Sequence, residues 1–410
     1  MRVRELTLQN FRVFSHPRTF VFSDQFSVVA GVNGRGKTAI LDGLALLLSR
    51  LLKSLDLTDS YRSIVESEAH GNRSKVELSM KVLCARVPIN YWAKYTKRRN
   101  NLETLSIPTQ VRNEILRGYA NTAREGDQSP LAVYYTTDRA GYRLPRSIPR
   151  SLPLGPKIAN SGALIDRMVD YKDFIARYRV WSRDPQKKTT VKALNRVIAV
   201  FLDGFSDVKI ARSPRHLTVR KGSQRLSLDQ LSDGERSFLA ILSDLVRRLS
   251  LANPDLKDPL EGAGVVLIDE LELHLHPKWQ REVVEKLRTA FPHIQFIATT
   301  HSPFIIQSLR PGELINLDPE EFAEYSDKSV EDIAENVMGV TLPQKSERYL
   351  DMVAVAEKYL KLVKDATPKS EAETEALRVE LDELTEPYSD DPAYTALLRL
   401  ERETKLEGNR

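Results

Sequence analysis

The sequence predicts an α/β protein built around a phosphate-binding core, and three segments carry that expectation. Gly31-Val32-Asn33-Gly34-Arg35-Gly36-Lys37-Thr38 fits the pattern G-x-x-x-x-G-K-[ST] without a mismatch, directly after the apolar run Phe26-Ser27-Val28-Val29-Ala30. Val265-Val266-Leu267-Ile268 is a second apolar strand pattern, and it ends in the paired carboxylates Asp269-Glu270. A third strand pattern, Ile294 to Thr299, is separated from the second by the helical stretch Pro277 to Ala290, the alternation of a parallel sheet.

The glycines of the first segment meet a physical demand. Backbone N–H groups curl around phosphate oxygens only where dihedrals and close approach are unobstructed by a Cβ. Asn33, Gly34, Arg35, Gly36, Lys37, Thr38 and Ala39 are therefore the expected nucleotide contacts, with Lys37 reaching the β- and γ-phosphates and Thr38 ligating Mg²⁺. The stretch Ala39 to Leu48 reads as a buried helix whose N-terminal dipole points at the anion. Asp269 is expected to hold Mg²⁺ through water, and Glu270 to polarise the attacking water. In isolation a strand ending in a solvated acidic turn would be the better reading. The phosphate loop decides against it, because it requires a Mg²⁺ partner and this is the only apolar strand ending in Asp-Glu. Leu231-Ser232-Asp233-Gly234-Glu235-Arg236 supplies a second anion-binding turn at the start of a helix, Ser237 to Leu249. Alone, it would be an ordinary capped helix start.

The remaining elements follow from patterning. Val3 to Leu8, Phe20 to Phe22 and the alternating run Lys75 to Leu83 read as strands of a mixed β lobe. Leu131 to Tyr135 is a further strand, ending at Thr136-Thr137-Asp138-Arg139. The Pro-, Gly- and Arg-rich run Gly141 to Pro156 reads as a loop, followed by helical patterns over Ile165 to Trp181 and Lys192 to Leu202. After the short strand Leu314 to Leu317 the chain is charged and helix-biased. Four segments are expected: 1–140, carrying the phosphate loop; 141–225, a helical and basic lid; 226–317, carrying the other motifs; and 318–410, a helical acidic tail. No heptad run is long enough for a coiled-coil arm.

With 410 residues and 41% hydrophobic content, the chain can bury a large core. Net charge is +5, but its distribution says more than its sum. Arg139 to Arg225 holds 20 Lys or Arg against 6 Asp, whereas Ala366 to Arg410 holds 6 basic and 12 acidic residues. The middle can face phosphate and the tail cannot. One cysteine, Cys84, excludes disulfides within the chain and is expected to be a small core residue. The N-terminus has no apolar signal core, and the most apolar stretch, Leu41 to Leu52, is interrupted by Asp42, Ser49 and Arg50. A cytoplasmic protein that engages no membrane is the expectation.

Taken together, the phosphate loop, the Asp269-Glu270 strand and Leu231-Ser232-Asp233-Gly234-Glu235 resemble the ATPases of the ABC superfamily, the last matching their signature motif. The resemblance implies an ABC-type P-loop ATPase using ATP and Mg²⁺. It also implies a homodimer, or a higher homo-oligomer, with ATP at the interface and Ser232, Asp233, Gly234 and Glu235 of one protomer closing on the phosphate loop of the other. Leu271 to Pro277 stands where the family has its D-loop, and Thr299-Thr300-His301-Ser302-Pro303 matches the switch region, so His301 is expected to touch the γ-phosphate. The wording Asp269-Glu270-Leu271-Glu272-Leu273-His274-Leu275-His276-Pro277 is similar to the RecF-like and overcoming-lysogenization-defect-like group, although Leu271 replaces the usual Pro. The opening Leu6-Thr7-Leu8-Gln9-Asn10-Phe11-Arg12 is similar to that group's first strand, which implies that Arg12 approaches the nucleotide. No Q-loop glutamine is identifiable; Thr136 to Arg139 is the candidate replacement.

Overcoming-lysogenization-defect nucleases carry a Toprim domain after the ATPase, which needs several strands and clustered acidic metal ligands. Here Asp318, Glu320 and Glu321 read as a charged turn, and Asp390-Asp391-Pro392 as a loop, so no nuclease is expected in this chain. The tail, from Ser329-Val330-Glu331-Asp332-Ile333 onward, resembles the Septu-type ATPases of antiphage modules, which work with an HNH nuclease and are sometimes attached to a retron. The implied partners are an HNH-like nuclease and, in a retron setting, a reverse transcriptase and its RNA. The expected function is an ATP-hydrolysing switch in a defence complex; the alternative is a RecF-like repair ATPase that clamps DNA.

Overall fold

The computed structural model describes every residue except 72, 85–86, 99–100, 107–111, 114–115, 118, 121–127, 141–151, 167–168, 170, 185–186, 211–216, 319–327, 341–346, 366–370, 389–395, 397, 399 and 401–410. Most of the loop expected over Gly141 to Pro156, together with Glu320, Glu321 and Asp390-Asp391-Pro392, lies outside the described residues.

Five strands form a wholly parallel sheet in the order β13 (Leu314–Asn316), β3 (Phe26–Ala30), β12 (Ile294–Thr299), β11 (Gly264–Ile268) and β7 (Leu131–Tyr135). Four of these strands are buried along their whole length, which is why they read as unbroken apolar runs. Their residues divide by face with period two. Val265 and Leu267 join one hydrophobic core, and Val266 and Ile268 the other.

The first core lies under α1 (Lys37–Ser54) and an antiparallel sheet in the order β2 (Arg18–Val21), β1 (Arg2–Gln9), β4 (Lys75–Cys84), β5 (Val87–Arg98) and β6 (Asn101–Ser106). Leu41, Leu44, Leu48 and Leu51 of α1 are fully buried, at about 1.5–3 kcal/mol each. Cys84 ends β4 inside this core, and burial pushes its thiol up to about 11. The sequence did not announce β5 and β6: Ile89, Tyr91, Ala93 and Tyr95 alternate inward, but Lys and Thr on the other face dilute the signal.

The second core packs α2 (Pro156–Asn160), α3 (Tyr171–Trp181), α4 (Lys188–Phe201), α5 (Asp233–Ala252) and α6 (Pro277–Ala290) against the opposite face. Two helix starts differ from expectation. The helix expected from Ile165 begins at Tyr171, after a turn closed by Ile165 N–H and Asp166 N–H on Gly162 O, and α4 begins at Lys188 rather than Lys192. The basic stretch also contains a three-stranded antiparallel sheet, β8 (Phe205–Ile210), β9 (Leu217–Lys221) and β10 (Gln224–Ser227), that patterning missed because its strands are short and charged.

Residues 1–339 form one unit and 340–410 a second. In the second, α7 (Glu347–Asp365) and α8 (Glu371–Thr385) pack together, and the buried Tyr359 hydroxyl donates to Leu398 O at 3.2 Å. Among the described residues, no helix is long and apolar enough to cross a membrane.

A buried charge cluster ties β7 to the helices of the second core. Asp244 on α5 accepts from Arg248 Nε at 2.7 Å, from Arg247 and from the Tyr135 hydroxyl at 3.1 Å, while Arg247 also reaches Asp173 on α3 at 2.6 Å. Burial alone would raise the Asp244 carboxyl; Arg248 and Arg247 reverse this and bring it down to about 2. A folded-state value below the unfolded one, roughly 3.9, means that this stabilisation is present above about pH 4 and lost as pH falls through about 2. Asp244→Asn is expected to cost roughly 3–5 kcal/mol, because it leaves two buried cations underpaired, and to flatten the stability loss between about pH 4 and 2. Thermal melts of both proteins across that range check it.

Candidate nucleotide site

The parallel sheet delivers its chemistry at the C-terminal ends of adjacent strands. After β3 the chain turns through Gly31, Gly34 and Gly36, with φ of 144°, 83° and 102°, and enters α1 at Lys37. Gly36 is required twice over: its φ is left-handed, and a Cβ there would stand 2.5 Å from Val13 Cγ2 and 2.8 Å from Phe14 Cζ. Lys37 folds back over the loop, donating to Gly31 O at 2.7 Å and Val32 O at 3.1 Å. Burial pushes its ammonium down, opposed by the nearby carboxylates Asp318, Glu272, Asp269 and Glu270. A cationic donor held in such a loop at a helix N-terminus fits a polyphosphate.

Parallel register assembles the rest. Ile268 pairs with Ala298, so the next residues, Asp269 and Thr299, emerge side by side. Thr38 Oγ1 stands 3.2 Å from both Asp269 oxygens. Thr299 Oγ1 donates to Asp269 Oδ1 at 2.6 Å and accepts from Glu270 N–H at 2.8 Å. Glu270 is thus fixed in a left-handed turn, φ 48°, directly beyond the Asp269 carboxylate. A hydroxyl and a carboxylate at this spacing fit a hard, oxygen-preferring cation such as Mg²⁺.

Four contributors escaped sequence reasoning. Besides Thr299, Glu272 clamps the switch segment, its carboxylate accepting from Thr300 Oγ1 at 2.6 Å and His301 N–H at 2.5 Å. Gln280 of α6 accepts from Ser302 Oγ at 2.6 Å. Asp318, read from sequence as part of a charged turn, instead braces the phosphate loop: it accepts Val32 N–H at 2.7 Å and pairs with Arg35 at 2.5 Å. Register explains the placement, since β13 runs beside β3 with Asn316 against Ala30. The only sequence signal was an acid just after a strand-like Leu-Ile-Asn-Leu.

Ser232 caps α5 in a reciprocal box, accepting Glu235 N–H at 3.3 Å while Glu235 accepts Ser232 N–H at 3.0 Å. Glu235 also pairs with Lys221 at 2.6 Å, and Asp233 pairs with Arg236. Gly234 has no room for a Cβ, which would meet the His274 carbonyl oxygen at 2.2 Å. The loop after Asp269-Glu270 therefore lies directly against the start of α5. His276 caps α6, its Nδ1 accepting Lys278 N–H at 3.3 Å. Among the described residues, no hydrogen bond or ion pair joins residues 232–235 to the phosphate loop of the same chain.

Arg12 is placed on the flank of α1, ion-paired with Asp42 at 2.6 Å and Glu68 at 3.0 Å, two carboxylates it shares with Arg62. Thr136 to Arg139 begins beside the carboxylate strand, because Tyr135 O accepts Asp269 N–H at 2.9 Å, and it turns at once into a short 3₁₀ helix, Thr137–Ala140.

Comparison with known proteins places the chain among described ATPases and defence proteins. Residues 100–307 match the family described as "AAA domain, putative AbiEii toxin, Type IV TA system". The match takes in Asp269, Glu270, His301 and Ser232 but begins after the phosphate loop. The chain is 25% identical over 366 residues to the Septu protein PtuA of Bacillus thuringiensis, covering 83% of this chain and 84% of that one. It is 44% identical over 124 residues to the "Retron Vc95 probable ATPase" of Vibrio cholerae serotype O1 biovar El Tor, a match that covers 30% of this chain and only 24% of the retron protein. The SMC head domain from Thermotoga maritima overlaps 77% of this chain and 94% of its own at 17% identity and a TM-score of 0.41, too loose to add to the motif geometry.

Asp318→Asn keeps an acceptor for Val32 N–H but removes a negative charge beside Lys37, so a nucleoside triphosphate should bind tighter by roughly tenfold, the effect of about 1.4 kcal/mol. Calorimetric titration measures it, and weaker binding would show that the charge, through Arg35, shapes the loop instead.

Proposed function

This chain belongs to the AAA-domain family that takes its description from the AbiEii toxin of type IV toxin–antitoxin systems, and on that premise we propose that it is the ATP-hydrolysing switch of an antiphage defence complex. The observation that carries the reading is the junction of Thr38 with Asp269, 3.2 Å from hydroxyl to either carboxylate oxygen, beside a buried Lys37. Thr38 and Asp269 would hold Mg²⁺, which when bound neutralises charge on the β- and γ-oxygens.

The chain's own groups have distinct tasks. Lys37 and the loop N–H groups orient the triphosphate. Glu270, fixed through its backbone by Thr299, orients the attacking water and takes its proton. His301 reports the γ-phosphate, and Glu272 transmits its position to the loop that contacts Gly234. The cradle is completed in trans: Ser232, Asp233, Gly234 and Glu235 of a second protomer close on the phosphates, so ATP binding and dimer closure are one event. Similarity to a Septu protein and to a retron ATPase supports a defence setting. In that setting the acidic segment beyond Ala366 docks a separately encoded HNH-like nuclease, and a retron reverse transcriptase with its RNA can join the assembly. This chain cuts no nucleic acid itself.

Glu270→Gln is expected to lower ATP turnover by ~10²-fold or more while ATP binding persists, the scale for losing a general base. Phosphate-release kinetics and nucleotide titration measure the two separately. Turnover at the unsubstituted rate would remove Glu270 from the reaction.

A further inference from the structure

A cavity of about 640 Å³ opens in the basic insert, between α3, α4 and β8, and shares no residue with the phosphate loop. Its walls carry Arg179, Arg183, Lys188, Lys192 and Lys209 against one carboxylate, Asp207. That carboxylate is already committed: Lys209 stands at 3.0 Å, Arg225 at 2.5 Å and Arg220 at 3.6 Å from it. Among the described residues, no ion pair engages Arg179, Arg183, Lys188 or Lys192. Four like charges around one cavity repel one another, and within a Debye length of about 10 Å salt does not cancel that repulsion. An anion in the cavity relieves it.

The floor differs from the rim. Val191, Val208 and Ile210 line it with Tyr178, whose hydroxyl is spent on Val208 O. Asn195 accepts Val208 N–H at 3.0 Å through Oδ1, which leaves its amide N–H groups as donors and ties β8 to α4. The walls are therefore braced from two helices. An apolar floor beneath a cationic rim suits a ligand with a flat, weakly polar body and a phosphate, and the volume lies in the usual range of roughly 300–1,000 Å³ for small-molecule sites.

We propose that this cavity is a second phosphate-recognising site that takes a nucleotide, either free or as one unit of a single-stranded nucleic acid. It stands independently of the ATPase reading, since none of its residues belongs to that site. The shared chemistry is a phosphate on Arg183, Lys188 and Lys192, with the base against Val191 and Val208.

The test uses the full chain carrying Lys37→Ala, so that the phosphate loop does not compete, and two probes: a short 5′-labelled oligothymidylate and AMP. Fluorescence anisotropy and calorimetry are compared with and without Arg183→Glu plus Lys192→Glu, two exposed positions, across a salt series. Charge reversal should weaken strand binding by at least roughly tenfold and reduce the slope of log affinity against log salt by ~0.7, one phosphate contact on a single strand. AMP binding lost on reversal, with no strand binding, identifies a free nucleotide as the source; strand binding lost with no AMP binding identifies the nucleic acid. Unchanged affinity for both probes, or no binding of either before substitution, overturns the proposal. Should the reversal variant melt at lower temperature, Arg183→Gln plus Lys192→Gln provides the same readout with a smaller expected loss.

Discussion

The Asp269 carboxylate is the constraint on which the site depends, because it receives hydroxyls from two different strand ends. Thr38 approaches from the phosphate loop after β3, and Thr299 from the end of β12, while β11 supplies the acid itself. The strand order β3, β12, β11 with parallel register brings these three ends together. The buried strands, the two helix-covered faces and the apolar cores that fix the register are thus conditions of the chemistry as well as of stability.

A second level of organisation extends from that carboxylate. Thr299 pins Glu270, Glu272 grips Thr300 and His301, and the His274 carbonyl leaves no space beside Gly234. Each contact is short range, yet in sequence they join segments around residues 234, 272 and 300. The backbone of His301 is thus held by Glu272, two residues before the His274 carbonyl that lies against Gly234 at the start of α5. The same helix is anchored at Asp244 to Tyr135, whose carbonyl receives Asp269 N–H. Tyr135 thus joins α5, through its hydroxyl, to the residue that follows β11, through its carbonyl.

Legibility in the sequence tracked the physical origin of each feature. The phosphate loop, the Asp269-Glu270 strand and the capped start of α5 were readable because local chemistry dictates them: glycines at positive φ, an unbroken apolar run, a Ser three residues before a Glu. Asp318, Glu272 and Gln280 were not readable, because only the register of β13 and the fold of the loop after β11 give them partners. The small sheet Phe205 to Ser227 was hidden in a similar way. Its strands bury Phe205, Val208, Leu217 and Val219 but expose charge on the other face, so composition dominated pattern. Arg12 had the right neighbourhood, on a turn against Gly36, but its ion pairs with Asp42 and Glu68 follow from α1 and residues 61–70, which no motif encodes.

Two protomers that share each proposed ATP site should complement one another when two inactive variants are mixed. Lys37→Ala removes the phosphate-loop cation and Ser232→Arg blocks the signature, so each variant alone should have no turnover. In a mixed dimer, one site would combine an intact phosphate loop from the Ser232→Arg protomer with an intact signature from the Lys37→Ala protomer. With shared sites, ATP turnover returns on mixing and rises with the fraction of mixed dimers. No recovery, with both variants folded and dimers exchanging, would mean that each chain completes its own site, and the shared-site account would be wrong.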